Sequence, residues 1–204
     1  KPTLTHKFIN YFIQKDKAKY LFTQNIDGLE IKAKIPKEKV IFAHGNFLEG
    51  HCPGCGSEID INIINYGIQE QKIIYCGKCG NVPCKPNVVF YGENLPARFN
   101  EKIKECKDCD LIIIMGTSLK VYPFSSIPDV MDKNSWKVVL NYDKVGQYDY
   151  DLLSSNSLFI QGKTDNLVFK LIQDIGLEYD FRKFIYETYG DKDIILTEEK
   201  MLSV

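Results

Sequence analysis

Cys52-Pro-Gly-Cys55 and Cys76-Gly-Lys-Cys79 form two Cys-x2-Cys pairs separated by twenty residues. That is the spacing of a zinc site closed by four thiolates. Soft sulfur ligands select zinc, and four of them fill a tetrahedron, so no position is left for water or substrate. One metal that holds structure is therefore expected, with Pro53-Gly54 and Gly77 making the turn inside each pair. Two disulfides, or four unrelated thiols, are the competing readings. His51 adjoins the first cysteine but is left out of the shell, which the four sulfurs already fill.

A second group of residues has the chemistry of a ligand crevice. The apolar run Val40-Ile-Phe-Ala43 delivers His44 into Gly45, and Lys19–Thr23 delivers Gln24-Asn25-Ile26-Asp27 in the same relative place. Leu111–Met115 runs into Gly116-Thr117-Ser118, Trp136–Leu140 into Asn141-Tyr142-Asp143, and Ser157–Ile160 into Gly162-Lys163-Thr164-Asp165. In open α/β sheets, ligands bind outside the carboxyl ends of the strands. Core packing does not explain polar or small residues at five successive strand ends. For single members the structural alternatives stay open: a lone histidine is more often structural than catalytic, and Asn25 with Asp27 would also make a hydrogen-bonding turn.

The elements that must position these residues alternate between strand and helix. Phe8, Ile9, Phe12 and Ile13 lie at helical spacing within Thr5–Lys15, with Thr3 or Thr5 as cap. Arg98–Glu105 and Asn166–Ile175 read as further helices, the latter capped by the 162–165 segment. Leu111–Met115 is the most apolar run, as for a strand covered on both faces. The fold class expected is α/β, a doubly wound, mostly parallel, Rossmann-like sheet. Residues 46–85 form an inserted zinc-ribbon module, residues 1–45 and 86–180 form the discontinuous main domain, and residues 181–204 form a charged, partly helical, loosely attached tail.

Composition narrows the partners. A chain of 204 residues with 44% hydrophobic and 26% charged residues can bury a full core and has no run long enough to cross a bilayer. Its net charge of -1 gives no electrostatic case for nucleic acid or an anionic membrane. Four of the seven cysteines in a metal pattern argue for a reducing compartment, cytoplasmic or nuclear. Cys84 reads as a spare, and Cys106 with Cys109 as buried small side chains or a redox pair.

In order and wording these segments resemble the sirtuin family, the NAD-dependent protein deacylases. The resemblance is carried by Gln24-Asn25-Ile26-Asp27, His44-Gly45, the four cysteines, Val88-Val-Phe-Tyr-Gly-Glu93, Met115-Gly-Thr-Ser-Leu119 with Val121 and Pro123, and Leu140-Asn141. It runs from Pro2-Thr3-x-x-His6 to about Gly176. Leu95-Pro-Ala-Arg98 and Lys144-Val-Gly-Gln147 are closest to the eukaryotic cytosolic and nuclear deacetylase branch. A sirtuin opens with a strand and a Gly-Ala-Gly-x-Ser turn for the pyrophosphate. Neither is present, so the chain is expected to be amino-terminally truncated and to bind NAD weakly.

The resemblance implies a transferase that moves an acetyl or other acyl group from a protein lysine to ADP-ribose, releasing nicotinamide and giving O-acyl-ADP-ribose. It assigns His44 as general base and Asn25 as a second catalytic residue. Gln24, Asn25, Ile26 and Asp27 would hold the nicotinamide ribose and carboxamide; Gly116, Thr117, Ser118, Asn141, Tyr142, Asp143 and Thr164 would hold the adenosine half. Val89 and Phe90 would line the acyl-lysine tunnel. Gly92, Glu93, Val121 and Tyr122 would bind the acetylated substrate as an added strand. Mono-ADP-ribosyl transfer, or a non-catalytic zinc-bearing peptide-binding module, are the alternatives.

Overall fold

A computed structural model of the chain describes residues 1–146 and 156–190. Gln147 of the family-like segment, and the tail beyond Gly190, lie outside the described residues. Thr3 takes extended backbone before helix α1 (Leu4–Gln14), and its N–H donates to Nδ1 of His6 at 3.2 Å. A second cap arrives from far along the chain: Asp165 Oδ1 accepts the N–H of Thr5 at 2.8 Å and its hydroxyl at 2.5 Å. The 162–165 segment therefore caps the first helix, whereas its own helix starts at Thr164 with no side-chain cap.

Strand β1 (Leu21–Thr23), the short helix α2 (Leu29–Lys32) and strand β2 (Val40–Phe42) follow, with β1 and β2 parallel in the register Thr23 against Phe42. Next come β3 (Gly45–His51), β4 (Glu58–Ile59), helix α3 (Ile61–Gln69) and β5 (Lys85–Val88), whose strands make an antiparallel sheet in the order β4-β3-β5. The main domain resumes with α4 (Ala97–Lys104), β6 (Leu111–Met115), α5 (Ile127–Val130), β7 (Trp136–Asn141), β8 (Ser157–Gln161), α6 (Thr164–Asp174) and α7 (Glu178–Tyr189). Strands β6, β7 and β8 are parallel neighbours in that order.

Alternation along β7 shows why the arrangement is doubly wound. Val139 faces one core with Phe99 of α4 and Ile127 of α5, while Leu140 faces the other with Phe8 of α1 and Val168 and Ile172 of α6. The α/β class with parallel strands is as expected. Among the described residues, however, the parallel strands form two separate ladders, β1-β2 and β6-β7-β8. What unites them is side-chain packing: Ile41 and Ala43 from the β2 side share one cluster with Ile114 and Val139.

The described part of the expected loose tail is firmly packed. Phe181 and Ile185, one helical turn apart on α7, are both 2% exposed and close the cluster around Leu4, Phe8 and Tyr11. At the end of α7, the Tyr189 hydroxyl donates to the carbonyl of Ala33 at 2.6 Å, and Asn10 Nδ2 donates to that hydroxyl at 2.8 Å. Replacing Phe181 by Ala is expected to lower stability by about 3–5 kcal/mol, because a large ring leaves a cavity between two helices. Urea denaturation checks this, and a loss below about 1 kcal/mol would show a loosely held helix.

Candidate functional site

The carboxyl ends of the parallel strands meet at one rim. Thr23, the last residue of β1, accepts the N–H of Ala43 at 2.9 Å through its carbonyl, and Ile26 accepts the N–H of Phe47 at 2.9 Å. These two bonds bracket His44, holding the chain on either side of it against the Gln24–Ile26 segment. The His44 carbonyl accepts the N–H of Val89 at 2.9 Å, which fixes the third side. Its half-buried imidazole has no hydrogen-bond partner among the described residues.

The other half of the rim is tied to this one, among the described residues, by one side-chain bond: the Thr117 hydroxyl donates to Gln24 Oε1 at 3.0 Å. Asn141 Nδ2 donates to the carbonyls of Thr117 and Asp143, each at 3.0 Å, so the turns after β6 and β7 are fixed to each other. Gly116 sits at φ +58, where a side chain is disfavoured, and a Cβ there would touch Thr164 at 3.8 Å. Gly116, Thr117, Asn141 and Thr164 thus converge. Ser118, Tyr142 and Asp143 lie exposed on the same edge.

Asn25 and Asp27 divide between the two readings open to them. Asp27 Oδ1 accepts the N–H of Leu29 at 3.0 Å and so builds the start of α2, whereas the Asn25 side chain is exposed and makes no hydrogen bond among the described residues. Thr23 and Glu30 support this segment from below and were not singled out by spacing. The only trace of them in the sequence is their position flanking the polar cluster.

Beyond β5, Val89 is half-buried and Phe90 is 53% exposed, its ring lying 4.1 Å from the ammonium of Lys85. Glu93 accepts the N–H of Phe90 at 2.8 Å and both its oxygens bond Lys85, at 2.5 and 2.6 Å. The Lys85 bond, followed by that from Phe90, holds the Glu93 carboxyl below the usual carboxylate range. The result is a clamped turn that presents Tyr91 and Gly92 outward. Val121 and Tyr122 are exposed on a separate segment.

Gly45 is the tightest point of the site. Its φ is +74, and a Cβ there would stand 1.7 Å from the carbonyl oxygen of Asn87 in the paired antiparallel strand β5. Gly45→Ala is therefore expected to cost about 2–5 kcal/mol, the sum of a left-handed backbone and an overpacked contact. A thermal melt unchanged from the parent would show that the contact yields freely.

The four cysteines pass a geometric test for zinc. Their sulfurs all lie within 4.8 Å of one another, with Cys52 and Cys79 at 3.8 Å and Cys55 and Cys76 at 3.7 Å. The edge of a tetrahedron with arms of ~2.3 Å is about 3.8 Å. Backbone N–H groups of Lys78 and Cys79 point at Cys76 Sγ at 3.4 Å each, as suits a thiolate. Crowding splits the thiols: the Ser57 hydroxyl leads in drawing Cys55 down to about 6, while hydrogen bonding to Cys55 leads in pushing Cys79 up to about 12. Such a cluster loses all its protons to solvent only when a bound cation takes their place on the sulfurs.

The turns of the knuckles fall where the sequence places them. Pro53-Gly54 and Gly77 do lie in the turn inside each pair; the added feature is left-handed backbone at Gly56 and Gly80, each directly after the second cysteine, with φ +70 and +76. Neither Gly54 nor Gly77 takes a positive φ. Cys84 stays outside the four-sulfur cluster, and His51 is engaged with Asn87 Oδ1 at 2.5 Å through Nδ1. Burial pushes the thiols of Cys106, to about 11, and Cys109 upward, which keeps them protonated and suits small buried side chains.

Comparison with known proteins gives this arrangement its family. The model of the Sir2 family matches residues 1–123. The chain belongs to the Sir2 family. An NAD-dependent deacetylase, sir2D of Dictyostelium discoideum, is 40% identical over 167 residues, covering 79% of this chain and 31% of its own length. The NAD-dependent protein deacetylase HST2 of Candida albicans is 33% identical over 187 residues, covering 91% of this chain and 56% of its own length. Among solved structures, a Sir2 protein with a p53 peptide and NAD+ matches with a TM-score of 0.75 and 27% identity, over 87% of this chain and 71% of that one. The chain thus spans about a quarter to a little over half of the curated Sir2 relatives it matches. No described helix is long and apolar enough to cross a membrane.

Proposed function

We propose that this chain contributes the histidine-bearing part of an NAD-dependent protein-lysine deacylase. The observation that carries the reading is the bracketing of His44: backbone bonds from Ala43 to Thr23 and from Phe47 to Ile26 hold its backbone beside the Gln24–Asp27 segment, with the imidazole unengaged among the described residues. The names of the Sir2 relatives, all NAD-dependent deacetylases, support the choice of cofactor and of acetylated protein substrates. NAD, when bound, supplies an electrophilic ribose carbon and nicotinamide as the leaving group.

The chain's own groups then have distinct tasks. Asn25 and Asp27 bind the nicotinamide half from the β1 end. Gly116, Thr117, Ser118, Asn141 and Thr164 bind the adenosine half from the β6, β7 and β8 ends, with Gln24 joining the halves through Thr117. His44 accepts a proton from a ribose hydroxyl, which an imidazole does well near neutral pH. Val89 and Phe90 flank the acyl-lysine stem, and the clamped turn at Gly92–Glu93 with Val121–Tyr122 receives the substrate backbone as an added strand. Residues 46–85 serve as a structural zinc module inserted between residues 1–45 and 86–180. Its free thiols suit a reducing compartment, cytoplasmic or nuclear.

Mixing the protein with NAD and an acetylated peptide tests this directly. Free nicotinamide and a peptide lighter by one acetyl group are expected. A peptide or protein heavier by one ADP-ribose would instead assign mono-ADP-ribosyl transfer, and absence of nicotinamide would leave a binding module.

A further inference from the structure

We infer that Glu30 is the positioning residue of the segment carrying Gln24, Asn25 and Asp27, acting through the hydroxyl of Thr23. The ligand that benefits is named by the proposed function, on which this inference rests; the geometry does not depend on it. Glu30 stands on α2 and is 2% exposed. Its Oε1 accepts the Thr23 hydroxyl at 2.6 Å, and Thr23 Oγ1 accepts the backbone N–H of Asn25 at 3.1 Å.

A hydroxyl has one proton and two lone pairs. With its proton committed to the carboxylate, the Thr23 oxygen can only accept from Asn25, so the relay has a single polarity from carboxylate to hydroxyl to amide. The first bond is charge-assisted and short, which makes it the stiff link. Thr23 also receives Ala43 through its carbonyl, so the residue that orients Asn25 is the one that sets the strand leading to His44. Both halves of the candidate catalytic pair are thereby referred to one buried carboxylate.

The other oxygen argues that packing is not the reason for an acid here. Glu30 Oε2 is inaccessible to solvent and has no hydrogen-bond partner among the described residues. An unmatched buried carboxylate oxygen is unfavourable, and an apolar side chain of equal length would fill the space without that penalty. What such a side chain cannot do is hold the Thr23 proton.

Amide hydrogen exchange on the protein alone, without NAD, tests the relay. Thr23→Val removes the hydroxyl at constant shape, Glu30→Met removes the acceptor, and Glu30→Gln keeps an acceptor oxygen. The Asn25 amide is expected to exchange about three- to tenfold faster in the first two, as for loss of one hydrogen bond, and at the parental rate in Glu30→Gln. The Val139 amide, in the core of β7, should be unaffected and reports global folding. If Glu30→Met fails that control, Glu30→Asp takes its place, its carboxylate a methylene short of Thr23. Parental exchange at Asn25 in the folded acceptor-loss variant overturns the inference, whatever the activity. With NAD and acetylated peptide added, the same variant should slow nicotinamide release with the peptide KM unchanged, and Glu30→Gln should restore it. Should the parent release no nicotinamide while Asn25 exchange shifts as expected, the relay stands and the functional reading falls.

Discussion

His44→Ala is expected to reduce deacylation by about 10²- to 10⁴-fold, the range for loss of a general base, while the protein stays folded. Folding should survive because the imidazole is half-buried and bonds nothing among the described residues, so its removal opens no core and orphans no partner. The defect should also be selective. In the proposed reaction nicotinamide would depart before a proton leaves the ribose, so exchange of labelled nicotinamide into NAD should persist in the variant. Mass spectrometry of the peptide and label exchange on one sample read the two steps separately. Near-parental deacylation by His44→Ala would remove this residue from the mechanism.

Cys76→Ser is expected to abolish stoichiometric zinc and melt the antiparallel sheet. Between Gly45 and Val88 the one large aliphatic side chain that is buried is Ile64; the buried apolar groups beside it are Pro86 and the cysteines Cys52 and Cys76 themselves. A sheet with so little apolar core depends on its metal, and structural zinc contributes on the order of 10–16 kcal/mol in small zinc-folded peptides. Cys76 is the harshest choice because it is buried and its sulfur receives two backbone N–H groups. Removal of zinc by a chelator should reproduce the effect, and Cys84→Ser should not. Because β3 starts one residue after His44, deacylation should fall along with the metal. Elemental analysis with circular dichroism decides: full folding of metal-free protein would show the zinc to be dispensable.

The features legible in the sequence are those with short-range physics. The β6 strand was expected at Leu111–Met115 and is found there, because an unbroken apolar run ending in Gly-Thr-Ser admits little else. The cysteine spacing likewise yields the four-sulfur cluster. Helix α3 was hidden, since Ile61-Asn-Ile-Ile-Asn-Tyr-Gly is poor in helix formers; Asp60, accepting the Asn62 N–H at 2.9 Å, starts it, and burial of Ile64 and Gly67 sustains it. No strand is expected over the seven residues from Gly45 to His51, yet they form β3, because a strand there needs β5 some forty positions later. Asp165 capping α1 and Tyr189 reaching Ala33 are contacts across 160 and 156 positions, to which no local pattern points. Glu30 was invisible for a different reason: its role lies in one proton shared with Thr23.

Helix α7 settles the order in which this chain can be completed. The core face of α1, at residues 4–14, is covered by Phe181 and Ile185, and the ring of Tyr189 lies beneath the ammonium groups of both Lys7 and Lys34. During synthesis helix α1 must therefore wait, apolar side outward, until nearly the last described residue has been made. The zinc sheet needs only residues 45–88 and can close in the meantime. A ribosome making this protein should thus carry a metal-bound half that is already finished and a nucleotide half that is not, and the unfinished half is where chaperones would be expected to bind.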